Sequence, residues 1–263
     1  MQTLALLAAL AMAPADTSPN SQAWLVSQQI QVTPGSETAV AVVIRHDPGW
    51  YSYWINPGDS GQATSIKWNA PAGFSVERGF WNPPQRVVSP DGVTFGYKGD
   101  AVHVARLVVP ANAKPGSTIN LRAQVRWLVC RETCLTAREE VVVSLRVADR
   151  ALPSRTWGER FGQWIANEPR AWPPGFFALR SEGGDLVLTA EGLPAKSVEF
   201  FPAEPGTIAH DDPGRFRLVG DAFELRVKVS PYSNGTPQRL RGLMRITPPE
   251  GPDYFGTLDV PLS

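Results

Sequence analysis

The feature that most constrains the fold of this 263-residue chain is a series of short segments rich in β-branched residues, separated by turns. Four such segments lie in the first part of the chain: Thr38–His46, Ala101–Val109, Leu121–Val129 and Val141–Val147. Residues that favour tight turns stand between them, as in the run Asn56-Pro57-Gly58-Asp59. Short strands with frequent turns and no helical period are typical of a β-sandwich, so we predict one over residues 20–148.

A different pattern occupies residues 149–175. Its apolar side chains recur at the spacing of one helical face: Trp157, Phe161, Trp164 and Ile165. Ser154 stands where a residue that caps a helix N-terminus is expected, and Pro169 stands beyond the far end. We therefore predict a short linker helix in this segment.

The strand pattern returns after the linker. Six further segments are predicted as strands: Asp185–Ala190, Ser197–Phe201, Arg215–Val219, Ala222–Ser230, Leu240–Thr247 and Tyr254–Val260. They are enough for a second, smaller β-rich domain over residues 176–263. The predicted fold class is thus all-β, with two sandwiches joined by a short helix.

The composition excludes several functional classes. The chain has 25 basic and 25 acidic side chains, and a net charge of zero argues against nucleic acid as a partner, because nucleic-acid binders carry a basic face. Hydrophobic residues make up 43% of the chain, which supports a packed core. No serine–histidine–aspartate arrangement, carboxylate pair, phosphate loop or dinucleotide fingerprint stands out, so hydrolases and nucleotide-dependent enzymes are not favoured.

The N-terminal segment Met1–Ala15 predicts export. Its apolar run, Leu4–Met12, is too short to cross a bilayer but fits the core of a signal peptide, and Ala13 and Ala15 form a small-residue cleavage site. The basic residue that usually opens such a signal is missing, since the first one is Arg45; a frayed apolar N-terminus is the alternative. We expect a soluble periplasmic protein, because no later run reaches the roughly 18 apolar residues of a membrane span.

The chemistry, if the chain has any, lies at its two cysteines, Cys130 and Cys134. They flank a short connection between two predicted strands, and residues four apart can form a disulfide across a hairpin mouth or on a helical turn. Closing a loop of about five residues stabilises a fold by only about 2 kcal/mol, so the bond is a weak structural element. Short, exposed loop disulfides are instead the kind that is readily reduced and exchanged.

Two other interpretations of the cysteines remain open at this point. The disulfide could be an inert staple in a secreted protein. The two thiolates could also bind Cu(I) or supply half of a zinc site, but the three histidines and three methionines are distant in sequence, so no metal is expected. Among those histidines, His103 could carry protons for the pair, although a lone histidine in an apolar strand is more often packed and hydrogen-bonded.

Three motifs resemble a known family, the N-terminal periplasmic domain of the thiol:disulfide interchange protein DsbD. They occur in matching order: PGWYSYWINPGDSG (Pro48–Gly61), TFGYKGD (Thr94–Asp100) and WLVCRETCL (Trp127–Leu135). The chain is closer to the ScsB-like branch, which has similar W-x-NPGDSG and V-C-x-x-x-C motifs. The resemblance covers about residues 23–148.

The resemblance implies an immunoglobulin-like sandwich with redox cysteines at one end. By this resemblance Cys130 and Cys134 are the redox pair, and Cys134 is the attacking cysteine. Family members exchange electrons with thioredoxin-fold proteins, and no flavin, nicotinamide or metal cofactor is needed. The implied activity is that of a protein-disulfide reductase.

The resemblance also assigns four aromatic residues to the site. The segment Thr94–Lys98 matches an aromatic cap loop that shields the cysteines, with Phe95 and Tyr97 as its lid side chains. Tyr51 and Tyr53 match aromatic positions that line the site. Ordinary core packing is the alternative for all four.

One departure from the family defines the expected partners. Full-length members continue into a membrane domain with several spans and a C-terminal thioredoxin domain, and this chain has neither. We therefore expect a separate DsbD-like membrane electron transporter as electron donor, and thioredoxin-fold periplasmic proteins as exchange partners. The competing class is a non-enzymatic secreted adaptor or binding module whose disulfide is only a loop staple.

Overall fold

A computed structural model describes residues 20–89 and 92–263 of the protein. The predicted signal peptide, residues 1–15, lies outside the described residues. The described chain is built almost entirely of β-strands, as predicted, with strands in both the first and the second part of the sequence.

The first part of the chain folds into three sheets. Its strands are β1 (Ser21–Ser27), β2 (Gln29–Val32), β3 (Glu37–His46), β4 (Ser52–Gly58), β5 (Ser65–Asn69), β6 (Ser75–Trp81), β7 (Gln85–Ser89), β8 (Gly92–Tyr97), β9 (Ala101–Val108), β10 (Thr118–Cys130), β11 (Cys134–Val147) and β12 (Leu152–Pro153). Sheet I has the order β1-β3-β9-β6, sheet II has β12-β2-β11-β10-β5, and the small sheet III has β4-β8-β7.

Strand β10 shows why this sequence forms a sandwich. Leu121, Ala123 and Val125 are buried, whereas the residues between them are exposed, so one face of the strand is directed to the core. Trp127 continues the buried face, and its indole N–H donates a hydrogen bond to the Ser21 hydroxyl at 3.0 Å. The alternation of period two predicted from the sequence is thus realised.

The predicted helix forms and covers the outer face of sheet I. Helix α1 spans Gly158–Ala166, and Phe161 is fully buried in a cluster that includes Val43 and Val104 of the sheet. The middle of β3 is therefore buried on both faces, which explains why this strand is a nearly continuous apolar run. Ser154 lies before the first turn rather than at the N-cap position, which Trp157 occupies, but the Ser154 hydroxyl accepts a hydrogen bond from the Trp157 N–H at 3.2 Å.

The second part of the chain forms the smaller sandwich. Its strands are β13 (Arg170–Ala171), β14 (Ala178–Glu182), β15 (Asp185–Glu191), β16 (Ser197–Pro202), β17 (Arg215–Val219), β18 (Ala222–Lys228), β19 (Arg239–Thr247) and β20 (Tyr254–Pro261). Sheet IV has the order β13-β20-β19-β16, and sheet V has β14-β15-β18-β17. Each of the six predicted segments overlaps one of these strands to within one or two residues at either end; β13 and β14 were not predicted.

The two sandwiches share buried residues. Phe201 and Leu243 of the second sandwich are buried in the same apolar cluster as Trp54 and Phe95 of the first. We call this contact the junction. Within the described part of the chain, no helix is both long and apolar enough to cross a membrane.

Candidate functional site

The two cysteines lie at the tip of a long β-hairpin. Strands β10 and β11 are antiparallel, with Cα partners from Thr118 and Arg146 through to Cys130 and Cys134. Three residues form the turn, in which the Arg131 N–H donates to the Thr133 carbonyl at 3.1 Å. The cysteines form a disulfide, so the hairpin-mouth geometry is realised and the helical turn is not.

Hydrogen bonds from Cys130 to Tyr51, the residue before β4, explain the close approach of the cysteines. The Cys130 N–H donates to the Tyr51 carbonyl at 2.9 Å, and the Tyr51 N–H donates to the Cys130 carbonyl at 3.0 Å. Both backbone groups of Cys130 therefore bond away from Cys134. Facing residues that exchange no backbone hydrogen bonds are the closer of the two kinds of antiparallel pair, and here the Cα atoms are 4.2 Å apart.

The two sulfur atoms have different surroundings. Cys130 is 1% exposed, whereas Cys134 is an exposed residue at the start of β11. The residues of the turn between them are also exposed. Cys134 is therefore open to solvent, whereas Cys130 is shielded by the protein.

The hydroxyl of Tyr53 contacts the shielded sulfur. The Tyr53 O–H donates a hydrogen bond to Cys130 Sγ at 3.1 Å, and the same oxygen lies 3.9 Å from Cys134 Sγ. Burial, helped by the neighbouring Tyr51, raises the pKa of Tyr53 well above its ordinary value, so the phenol keeps its proton. A protonated phenol can stabilise a thiolate at Cys130, because hydrogen bonds to charged acceptors are the stronger ones.

The structure places Tyr51 and Tyr53 together beside the disulfide. Their rings pack edge to face with centroids 5.5 Å apart. Gly61, at the end of the NPGDSG run, lies against the Tyr53 ring: a Cβ atom there would be 2.2 Å from the ring, and the residue has a φ of +98°. Only glycine fits this position without moving Tyr53.

The NPGDSG run has a role that the sequence analysis missed. The Asn56 amide donates to the Pro202 carbonyl of the second sandwich at 2.8 Å, and its side-chain oxygen accepts from the Gly58 N–H at 3.0 Å. Asp59 accepts from the Val93 N–H at 2.8 Å. This loop therefore ties the site to the second sandwich. The turn residues were visible in the sequence, but their distant partners were not.

The two predicted lid residues, Phe95 and Tyr97, lie on β8 of sheet III, and their rings pack against residues other than the cysteines. Phe95 is 0% exposed, and its ring packs against Phe201 at 5.7 Å and His210 at 5.3 Å, both in the second sandwich. Tyr97 is buried and stacks on Trp81 at 6.0 Å. The described ring contacts of these two residues do not include the disulfide. The lid role stays a prediction that these contacts do not support.

A strand register gives the physical reason. Tyr53 faces Gly96 across β4 and β8, so the Tyr53 side chain and the position of Gly96 share one face of sheet III. Phe95 precedes Gly96, and successive residues of a strand point to opposite faces. Phe95 therefore faces the second sandwich, whereas Tyr53 faces the disulfide.

His103 packs among aromatic residues rather than against the cysteines. Its ring lies 4.8 Å from that of Trp81 and 6.3 Å from that of Trp68, beside an open cavity of about 260 Å³ that all three residues line. Burial lowers the pKa of His103 to about 4, so the imidazole is neutral at neutral pH. These contacts match the packed alternative and not a proton carrier for the disulfide.

The charged residues of the turn are solvated. Arg131 lies 6.0 Å from the centroid of the Trp50 ring, and its guanidinium is 3.8 Å from the Glu132 carboxylate. Both side chains are exposed, so this ion pair contributes little. Among the described residues, no group of three or more histidine, cysteine, aspartate or glutamate side chains is arranged to hold a metal ion.

Comparison with known proteins finds a family match for the first sandwich. Residues 21–145 match the family model described as thiol:disulfide interchange protein DsbD, N-terminal. These residues include β1 to β10 and almost all of β11, and thus the whole disulfide hairpin tip. No curated protein matches the chain.

A solved structure shares the fold of the whole chain. The crystal structure of the N-terminal periplasmic domain of ScsB from Proteus mirabilis aligns with a TM-score of 0.62 and 16% identity, over 97% of each chain. BcpA, the major pilin subunit of Bacillus cereus, aligns with a TM-score of only 0.30 and 10% identity, over 82% of this chain and 67% of that one. The first similarity shows that both sandwiches and their arrangement have a solved counterpart; the second carries no argument.

Proposed function

We propose that the protein is a periplasmic thiol:disulfide exchange protein that relays electrons through Cys130 and Cys134, because its first sandwich matches the family model of DsbD N-terminal domains. Its partners are thioredoxin-fold proteins, and a separate DsbD-like membrane transporter supplies the electrons. The observation that carries the proposal is the asymmetry of the disulfide, with Cys134 exposed and Cys130 shielded beneath the Tyr53 hydroxyl.

The asymmetry assigns a role to each sulfur when the reduced protein acts on a partner. The Cys134 thiolate attacks one sulfur of the partner's disulfide, which forms a mixed disulfide and releases the partner's other sulfur as a thiolate. The Cys130 thiolate then attacks Cys134 Sγ, which restores the internal disulfide and releases the second partner thiolate. Two electrons pass to the partner, and two protons from solvent complete its thiols.

Reloading runs through the same steps in reverse. A thiolate of the electron donor attacks the exposed Cys134 Sγ, and Cys130 leaves as a thiolate. The Tyr53 O–H, which already donates to Cys130 Sγ, stabilises the charge that develops there. Attack at Cys130 is disfavoured because only 1% of that residue is exposed.

A trapping experiment with glutathione disulfide tests the proposal. The reduced Cys130→Ser variant keeps the exposed thiol and should form a glutathione adduct at Cys134 readily. The reduced Cys134→Ser variant keeps only the shielded thiol and should react at least about tenfold more slowly. Mass spectrometry after acid quenching measures both rates. When an oxidised thioredoxin-fold protein replaces glutathione disulfide, the Cys130→Ser variant should again react faster than the Cys134→Ser variant.

Titration of the unmodified protein in glutathione buffers distinguishes a redox-active disulfide from an inert structural one. An exchange site should become reduced at a potential above about −300 mV, whereas a structural disulfide stays oxidised there. Alkylation of free thiols followed by mass analysis gives the reduced fraction. If the disulfide stays oxidised in all buffers, the exchange function is refuted and the non-enzymatic adaptor with a structural disulfide is the class that remains.

A further inference from the structure

Sheet III connects the disulfide to the second sandwich in two strand steps. Tyr53 on β4 faces Gly96 on β8, and the preceding residue of β8, Phe95, faces Arg86 on β7. Strands of a sheet lie about 4.8 Å apart, so β7 and β4 are separated by only about 10 Å. Movement of β7 or β8 therefore reaches Tyr53 through backbone hydrogen bonds.

Arg86 anchors this sheet to the second sandwich. Its guanidinium forms an ion pair with Glu199 at 3.1 Å and donates to the Phe200 carbonyl at 3.1 Å and to the His210 carbonyl. The side chain is only 13% exposed. The rigid fork of an arginine can bind several acceptors at once, which a lysine cannot reproduce.

Aromatic packing and a hydrogen bond between Asp59 and His210 reinforce the same contact. The Arg86 guanidinium lies 5.1 Å from the Phe95 ring centroid and 5.9 Å from that of Phe201, so it is held between rings of both sandwiches. Asp59, in the loop that follows β4, lies 2.8 Å from the His210 ring nitrogen. Both edges of sheet III, β7 through Arg86 and β4 through the loop that follows it, are thus fixed to the second sandwich.

From this geometry we infer that the second sandwich acts as a clamp on the redox site, with Arg86 as its positioning residue. The clamp holds sheet III so that the Tyr53 hydroxyl stays on Cys130 Sγ. This inference rests on the proposed function. It gives residues 176–263 a role in the exchange reaction, although they lie outside the matched family domain.

The physical consequence is a shift of the disulfide equilibrium. A thiolate is a much stronger hydrogen-bond acceptor than a disulfide sulfur, so the Tyr53 contact stabilises the reduced protein more than the oxidised one. When the clamp is loosened, Tyr53 loses its fixed position and the reduced state loses that stabilisation. Solvent access to Cys134 does not enter this balance, because access changes the rate of exchange and not its equilibrium constant.

The test compares equilibrium constants for reduction of the full chain by glutathione at pH 8. Tyr53→Phe removes the hydroxyl and should lower the constant about tenfold, which is the effect of one hydrogen bond to a charged group. Arg86→Gln should lower it in the same direction by a comparable factor. In the Tyr53→Phe background, Arg86→Gln should have no further effect, because the contact that it positions is absent.

Two further variants keep the test decisive. Arg106→Gln is the matched control, since Arg106 is 54% exposed and pairs with Glu37 and Glu77 on sheet I, away from the junction; the constant should not change. Glu199→Gln removes the carboxylate that pairs with Arg86, and with Arg245 at 3.6 Å, but leaves the two carbonyl acceptors of Arg86 in place; it should lower the constant about two- to threefold. It decides the matter if Arg86→Gln does not fold.

The outcomes separate the clamp from the proposed function. If the unmodified protein titrates and the folded Arg86→Gln or Glu199→Gln variant has the same constant, the clamp is refuted and the exchange function stands. The clamp is also refuted if Arg86→Gln lowers the equilibrium constant by the same factor in the unmodified protein and in the Tyr53→Phe background. If the unmodified protein does not titrate at all, the exchange function itself fails.

Discussion

The disulfide hairpin and the junction contact opposite faces of sheet III, and they are built in opposite ways. At the hairpin tip, a covalent bond joins residues that are already strand neighbours, and one of the two cysteines is exposed. At the junction, buried rings and a nearly enclosed guanidinium join parts of the chain more than 100 residues apart. The covalent bond thus restrains little of the chain and is open to solvent on one side, whereas the noncovalent contact holds distant parts of the chain together.

Truncation at the junction should have the largest effect on stability. Phe201 is 0% exposed and packs against Phe95 and Trp54, so Phe201→Ala should lower the free energy of unfolding by about 3–5 kcal/mol. Tyr232, which is 87% exposed, provides the control, and Tyr232→Ala should stay within about 0.5 kcal/mol. Denaturant titration measures both. A loss below about 1 kcal/mol for Phe201→Ala would mean that the sandwiches are held together elsewhere.

Acid should lower the free energy of unfolding of the first sandwich through His103, which lies in neither the disulfide hairpin nor the junction. The folded protein depresses the pKa of His103 to about 4, from an ordinary value of 6.5, so the unfolded chain binds the proton first. The stabilisation is present above pH 6.5 and is lost as the pH falls towards 4, by at most about 3 kcal/mol. Unfolding measured between these pH values should show this decline.

The variant His103→Gln should flatten that pH profile. Some acid sensitivity will remain, because burial also lowers the pKa of His46 and that residue is unchanged. An unaltered slope would move the origin of the acid sensitivity away from His103 and its aromatic neighbours Trp68 and Trp81.

Reduction of the disulfide should have the smallest effect on stability. The bond closes a loop of only five residues, counted from Cys130 to Cys134, and chain entropy gives it about 2 kcal/mol at most. The unfolding midpoint with and without a phosphine reductant measures the difference. A loss above about 4 kcal/mol would mean that the disulfide stabilises the fold as much as the junction does and is a structural element.

Much of the fold was predictable because its cause is local. The alternation of buried and exposed residues in β10 and the apolar face of α1 are periodic patterns in the sequence itself. The strand β4 was harder to predict, because its NPGDSG residues are typical of a turn while part of that run continues the strand. The exposed Cys134 and the shielded Cys130 could not be told apart from their spacing.

From the sequence alone we predicted the most regular strands, a hairpin or a turn that brings Cys130 and Cys134 together, and the family that the first sandwich resembles. What each face of sheet III contacts became known only from the three-dimensional structure. A strand pattern assigns Tyr53 and Phe95 to opposite faces once their register is known, but register depends on pairing between distant segments. Phe95 therefore contacts Phe201 and not the disulfide, because the second sandwich occupies the face to which its side chain points.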